Sequence, residues 1–219
     1  MNAATLRLWQ LISPTLPVGA YSYSQALEYV IECGTVRDEP STLSWLRELL
    51  HHGLAALDLP VLLRVHRAWT RADAAAVAQL SRELEARRDT AELRFEDLAM
   101  GGALTQLLAN LGEPLPAGAP RLPFASAFAV ACANWRISED DACAGFAWAW
   151  CESQIAAAVK LVPLGHTAGQ RLLLALGGEI GAAVAYAATL GDDDVGTTLP
   201  GLAIASALHE TQYTRLFRS

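Results

Sequence analysis

The sequence predicts an all-α fold, a single-domain antiparallel helical bundle of roughly ten helices over residues 1–219. Apolar residues recur at spacings of three and four, as in the series Leu43, Leu46, Leu50, Leu54 and Leu57. No segment shows the strict alternation of a half-buried strand. A hydrophobic content of 53% with only 18% charged residues indicates either a large helical core or much apolar surface for partner chains.

The stretch 13–28 is the feature around which we interpret the rest of the chain. Its first half contains three residues that forbid a regular helix: Pro14, Pro17 and Gly19. We expect a helix to begin near Ser22 or Ser24, either of which could cap it. The stretch is then either a recognition feature or a tight connection packed under neighbouring helices, and its spacing leaves both open. As a recognition feature it would present Tyr21, Tyr23 and Glu28.

Capping signals predict where later helices begin. Asp58 has the position of an N-cap, with Pro60 in the first turn that follows. The segment 89–92 resembles a capping box that uses aspartate as its first residue. Ser138 with Asp141 predicts the start of a long apolar helix.

The second half of the chain is the more apolar one. Residues 112–123 contain four prolines and two glycines, and we interpret them as a surface loop between two halves of one bundle. Leu172 to Leu190 has about the length of a membrane span, but Glu179 lies near its middle. We therefore expect a buried core helix. A membrane-associated protein is the alternative and would require this stretch to face lipid.

Charge and cysteine content limit the partners and the compartment. The formal charge of −7 argues against nucleic acid, because phosphate binding needs a basic face. The four cysteines form no C-x-x-C pair, which is typical of free thiols in a reducing compartment. No secretory signal is visible, so we expect a cytoplasmic protein. Lys160 is the only lysine.

Motifs for catalysis, phosphate binding and metal binding are absent from the sequence. It has no phosphate-binding glycine loop and no H-E-x-x-H, and we expect no catalytic residue, no cofactor and no metal site. Asp97 lies on an apolar helical seam and needs a partner, either Arg94 or another chain. A helical enzyme or small-ligand protein remains an alternative if Asp97, Arg94 and His66 meet in one pocket.

Four segments, in order, closely resemble the UreF family of urease accessory proteins. The first is Leu16-Pro17-Val18-Gly19-Ala20-Tyr21-Ser22-Tyr23-Ser24 with Leu27-Glu28, and the second is Thr90-Ala91-Glu92-Leu93-Arg94. The third is Lys160-Leu161-Val162-Pro163-Leu164-Gly165 with Gly169-Gln170, and the fourth runs from His209-Glu210 through Tyr213-Thr214-Arg215-Leu216-Phe217. The resemblance spans essentially the whole chain. Ala26 departs from it, because the family commonly has glycine there, and this concerns only the helix start.

The resemblance implies a specific function. UreF-like proteins are all-α and usually dimeric, and they bridge the accessory protein UreH (also called UreD) to the GTPase UreG. That assembly docks on urease apoprotein and couples GTP hydrolysis to nickel insertion. The chain itself would be neither the GTPase nor the nickel store. Its expected partners are therefore UreH/UreD, UreG, urease apoprotein and a second copy of itself, with no membrane.

The resemblance also implies which residues contact partners. One partner face would combine the loop and the C-terminal tail through Tyr21, Tyr23, Tyr213 and Arg215. The surface that reads the GTPase would contain Glu28 and Lys160, with Pro163 and Gln170 shaping the adjacent turn. We expect residues 205–219 to form a flexible partner-binding tail.

Overall fold

The computed structural model describes residues 2–117, 121–196 and 199–219, and these residues form an all-α fold without a strand. The predicted fold class is confirmed, while the antiparallel arrangement of the bundle stays a prediction. A 3₁₀ turn spans Ala20–Ser22, and a π-helical segment spans Leu49–Asp58. The α-helices of the described residues are α1 (Ala3–Leu11), α2 (Leu27–Glu32), α3 (Glu39–Glu48), α4 (Leu59–Thr70), α5 (Ala74–Ala86), α6 (Ala91–Asn110), α7 (Phe124–Asn134), α8 (Glu139–Leu161), α9 (His166–Gly177), α10 (Ile180–Thr189) and α11 (Pro200–His209).

The π-helical segment joins α3 to α4 without a break in helical backbone. Asp58 has helical dihedrals (φ −68°, ψ −48°) and its side chain caps no backbone N–H. The prediction that Asp58 is an N-cap is therefore wrong. Its carboxylate is used elsewhere, in an ion pair with Arg88. The helical backbone continues through Asp58 into α4, and Pro60, the second residue of α4, has no backbone N–H to donate.

Two other helix starts also differ from the prediction. The N-cap of α6 is Thr90 and not Asp89, because the Thr90 side chain accepts a hydrogen bond from Leu93 N. Helix α2 begins at Leu27, later than Ser22 or Ser24, although the Ser24 hydroxyl accepts from Glu28 N at 3.3 Å. The predicted cap at Ser138 is confirmed, since its side chain accepts from the backbone N–H of Asp141.

The main core lies around α7, which packs against both α4 and α6. Phe124, Phe128 and Phe146 form an aromatic cluster with ring centroids 5.3 to 6.2 Å apart. Helix α6 approaches the chain before α7 so closely that a β-carbon on Gly101 would overlap the backbone at Leu122. The break predicted at 112–123 separates α6 from α7, and its residues 118–120 lie outside the described part of the chain.

A second, smaller core joins segments that are distant in sequence. It brings together α2, the end of α8, α11 and the C-terminal tail. Its buried residues are Ala26, Leu27, Val30, Val36, Ala157, Ala158, Val162, Ala205 and Phe217. This core places α2 and the C-terminal tail beside the end of α8.

The apolar stretch Leu172–Leu190 does not form the single buried helix that we expected. It is divided between α9 and α10, with Glu179 between them bound to Arg47 and His51. By length and composition the segment His166–Thr189 could cross a membrane. In its apolar window of 18 residues, 33% of the residues are buried in the fold. Leu174 and Tyr186 are exposed on it. The prediction of a single buried core helix is therefore wrong, although one face of both helices is buried in the main core through Leu172, Leu176, Ile180, Ala183, Val184 and Ala187.

Candidate partner-binding site

The tail, residues 210–219, is docked on the N-terminal segment. Arg218 N donates to Ser22 O at 2.8 Å, and Ser24 N donates to Ser219 O at 2.7 Å. The Ser24 hydroxyl donates to the same Ser219 oxygen at 2.6 Å. Phe217 and Ser219 are buried. We expected a flexible tail, but in the structure backbone hydrogen bonds and burial hold it in one position.

Glu28 fastens the middle of the tail. Its two carboxylate oxygens accept from the backbone N–H groups of Leu216 at 2.6 Å and Phe217 at 2.9 Å. Glu28 is only 7% exposed. Our expectation that Glu28 lies on a partner-reading surface is therefore corrected. Glu28 instead positions the tail, because the backbone N–H groups of Leu216 and Phe217 need its oxygens as acceptors.

A second buried carboxylate, Glu92, holds the beginning of the tail. One Glu92 oxygen lies 2.8 Å from Nδ1 of His209, and the other accepts from Nη1 of Arg215. The opposite ring nitrogen of His209, Nε2, is 3.4 Å from Glu28. His209 is fully buried between these two carboxylates. Buried charged groups are stable only when paired, so losing any member leaves an uncompensated group inside the fold.

A third carboxylate, Glu96, receives the end of the tail. Oε2 accepts from the Ser219 hydroxyl at 2.6 Å, and Oε1 accepts from Gln25 Nε2 at 2.8 Å. Trp150 Nε1 in turn donates to Gln25 Oε1 at 2.7 Å. Burial raises the pKa of Glu96 to about 7. This carboxyl is therefore held by hydrogen bonds and not by a cation of its own.

Lys160 contacts the tail from the end of α8. Its ammonium lies 5.6 Å from the centroid of the Phe217 ring, a cation–π distance. Pro163 is exposed in the turn that follows, which is closed by a hydrogen bond from Leu164 N to Val162 O. Gln170 is exposed on α9. Helix α9 sits against the end of α8, because a β-carbon on Gly169 would meet Val159 at 3.0 Å.

All four segments that carry the family resemblance thus meet at the tail. The first supplies Glu28, the second Glu92 and the third Lys160, while the fourth supplies the tail itself. Sequence reasoning singled out Glu28 and Lys160 but not Glu92, Glu96 or the pairing of His209. A glutamate in the first turn of a helix resembles an ordinary solvent-exposed residue, so the sequence carries little sign that Glu92 is buried.

Exposed residues surround this buried network. Tyr21 is 74% exposed, whereas Tyr23 is buried and belongs to the core. Tyr23 therefore cannot contact a partner directly, which corrects that expectation. On the other side of the tail an open groove is lined by Phe95, Arg215 and Leu216, and Tyr213 is fully exposed nearby. Exposed aromatic and apolar side chains around an arginine are typical of a protein-binding surface.

The residues proposed for an alternative enzyme pocket do not converge. Asp97 pairs with Arg88 and accepts from Phe124 N at 2.7 Å, so Arg94 is not its partner. Arg94 is exposed, and Nε2 of the buried His66 lies 3.0 Å from the backbone oxygen of Ile137. Within residues 2–117, 121–196 and 199–219, no group of three or more histidine, cysteine, aspartate or glutamate side chains could hold a metal ion.

Comparison with known proteins identifies the family. The UreF family model matches residues 36–177. A urease accessory protein UreF from Alkalilimnicola ehrlichii is 52% identical over 99% of this chain and 96% of its own length. The protein of the same name from Chromohalobacter salexigens is 50% identical over 97% of this chain and 93% of its own length. That from Teredinibacter turnerae is 46% identical over 100% of this chain and 100% of its own length. The chain belongs to the UreF family of urease accessory proteins.

Proposed function

We propose that this chain is a non-catalytic scaffold and chaperone that links UreH/UreD to the GTPase UreG on urease apoprotein. In this role it supports GTP-dependent nickel insertion in the cytoplasm and modulates the GTPase activity of UreG. Nickel is cargo of the assembly and GTP belongs to UreG, so the chain needs no cofactor of its own. The relatives' shared name, urease accessory protein, supports a role in urease maturation.

The observation that carries the proposal is the docked tail. Glu28, Glu92 and Glu96 hold residues 210–219 from beneath, while Tyr21, Tyr213 and Leu216 remain outside. A surface that is ordered before its partner arrives loses less conformational entropy on association. A role for the buried network in preparing a partner surface explains why the segments that define the family meet at this place.

The proposed assembly also includes a homodimer. Two apolar side chains far along the sequence from the tail, Leu174 on α9 and Tyr186 on α10, are exposed. Apolar surface of this kind is characteristic of contacts between protein chains. A second copy covering α9 and α10 would leave the tail free for UreH/UreD.

A three-component reconstitution tests the bridging role. Tagged UreG is mixed with UreH/UreD and with the full chain, with a chain ending at His209, or with no chain. We expect UreH/UreD to be retained only with the full chain. Cutting after His209 preserves α11, and circular dichroism checks that the truncated chain keeps its helices.

The result that would overturn the proposal is equal retention of UreH/UreD in all three mixtures. Urease activation with GTP and nickel is measured in parallel, and the truncated chain should fail to support it. If the truncated chain activates urease normally, the tail has no part in assembly.

A further inference from the structure

A cavity of about 310 Å³ lies next to the tail-docking network and shares Gln25, Glu96, Lys160 and Phe217 with it. Its apolar wall is formed by the π-helical segment, α6 and α8, with side chains such as Leu57, Met100, Phe146 and Trp150. A volume near 300 Å³ with mostly apolar walls and a few polar groups is typical of a small-molecule site. The cavity therefore has room for a compact organic ligand.

The π-helical segment supplies one wall of this cavity. Leu49, Gly53 and Leu57 line it at intervals of four residues. The segment is 10 residues long, whereas π-helical geometry mostly occurs as single turns that cluster at functional sites. This wall therefore has a backbone geometry that is frequent at functional sites.

Gln154 is the polar group in the cavity wall that lacks a partner. It is 2% exposed, and among the described residues its Oε1 has no hydrogen-bond partner. A buried amide oxygen without a donor is unfavourable, because it has lost its hydrogen bonds to water and gained none. A ligand that donates a hydrogen bond inside the cavity would remove that cost.

The charged groups of the cavity wall favour a cation. The lining contains three basic side chains, of which Arg88 is already engaged by two aspartates. Five carboxylates line the same cavity, which gives a formal excess of two negative charges: Asp58, Asp89, Glu96, Asp97 and Glu152. Glu96 has hydrogen bonds from Gln25 and Ser219 but no basic partner. Burial raises its pKa to about 7, because desolvation outweighs its two hydrogen bonds and the positive charge of Arg88.

Gln154 and Glu96 both line the cavity. Trp150 lies one helical turn before Gln154 on α8, and its indole N–H donates to Gln25. Gln25 in turn donates to Glu96. An ammonium group has three N–H donors, so one ammonium placed here can serve both an amide oxygen and a carboxylate.

We propose that this cavity binds a small organic ammonium ion with an apolar or aromatic body. The ammonium donates to Gln154 Oε1 and pairs with Glu96, and the body packs against Met100, Phe146 and Trp150. The site shares Glu96, Lys160 and Phe217 with the tail-docking network. Its test needs only the purified chain, so failure of the ligand site is distinguishable from failure of the proposed assembly.

The test measures binding of three probes of similar size by isothermal titration calorimetry: phenethylamine, phenethyl alcohol and phenylacetate. We expect phenethylamine to bind at least about tenfold more tightly than the alcohol, the scale of a charged hydrogen bond. Phenylacetate should not bind, because its carboxylate would face Glu96. Gln154→Met should weaken phenethylamine about tenfold without lowering the melting temperature, since it removes an unsatisfied oxygen.

Gln79→Met is the matched control, because Gln79 is exposed on α5 and its loss should leave phenethylamine affinity unchanged. A second variant, Glu96→Gln, cannot ionise and should abolish the preference for the amine over the alcohol. It replaces Gln154→Met as the deciding variant if that one fails to fold. The proposal is overturned if wild-type chain does not bind phenethylamine, if it binds the alcohol equally well, or if the folded cavity variants bind the amine like Gln79→Met.

Discussion

The carboxylate of Glu28 accepts a hydrogen bond of 2.9 Å from the backbone N–H of Phe217, 189 residues further along the chain. This contact joins the helix after the N-terminal loop to the C-terminal tail. Because the same carboxylate also holds Leu216, the exposed Tyr21 and the groove beside Arg215 become parts of one ordered surface. The network of buried acids thus positions the segment that we propose as part of the partner surface.

Glu28→Ala should release the tail. The substitution leaves two backbone N–H groups without an acceptor, a loss of about 1–3 kcal/mol for the docked state. Hydrogen exchange at Leu216 and Phe217 should accelerate, while exchange in α4 and α7 stays slow. Glu32→Ala, at an exposed position of the same helix, is the control and should leave tail exchange unchanged. Unchanged protection at Phe217 in Glu28→Ala would show that Glu28 does not hold the tail.

Lys160→Ala should impair urease activation or alter GTP hydrolysis by UreG without unfolding the chain. Its cation–π contact with Phe217 is worth at most about 1 kcal/mol at an exposed site, so the melting temperature should change little. Lys160→Arg keeps a cation over the ring and should retain activity. If Lys160→Ala only lowers the melting temperature, Lys160 is a helix-end residue with no function in assembly.

The stability of the fold should depend on pH through Glu96. Burial raises its pKa from 4.5 to about 7, so ionisation is less favourable in the folded chain than in the unfolded chain. The contribution of Glu96 to the free energy of unfolding is therefore greatest below pH 4.5 and is lost as the pH rises through about 7. Urea denaturation at several pH values should show a smaller decrease in Glu96→Gln than in wild type. Identical pH profiles would mean that Glu96 is not the responsible group.

Neighbouring glycines on α6 should respond oppositely to alanine. At Gly101 an added β-carbon would overlap the backbone before α7, so Gly101→Ala should destabilise the fold by roughly 1–3 kcal/mol. At Gly102 no atom lies within 4 Å, and alanine should stabilise the helix by up to about 1 kcal/mol. Chemical denaturation of both variants checks this. Equal effects at the two positions would contradict the close approach of α6 to the chain before α7.

Local signals were predictable from the sequence, and long-range contacts were not. The cap at Ser138 was predicted correctly because it joins residues three positions apart. Asp58 has an equally good cap signature, but its carboxylate pairs with Arg88, 30 residues later. Nothing local distinguishes the two cases, so the π-helical continuation through Asp58 could not be foreseen.

The resemblance identified site residues without revealing which of them are buried. Tyr21 lies in a 3₁₀ turn and is exposed, while Tyr23, in extended backbone two residues later, is buried. At Ala26, where the family commonly has glycine, the structure shows why glycine suits the position. Its φ of 63° is left-handed, a conformation that suits glycine better than alanine.

We propose above that the loop and the docked tail form one partner surface. Its most direct test is the affinity of UreH/UreD for Tyr21→Ala and Arg215→Ala, with Arg82→Ala as the control at an exposed arginine of α5. Circular dichroism confirms that all variants keep their helices. We predict that both site variants abolish recruitment of UreH/UreD while Arg82→Ala binds like wild type. Normal complex formation by Tyr21→Ala and Arg215→Ala would contradict the claim.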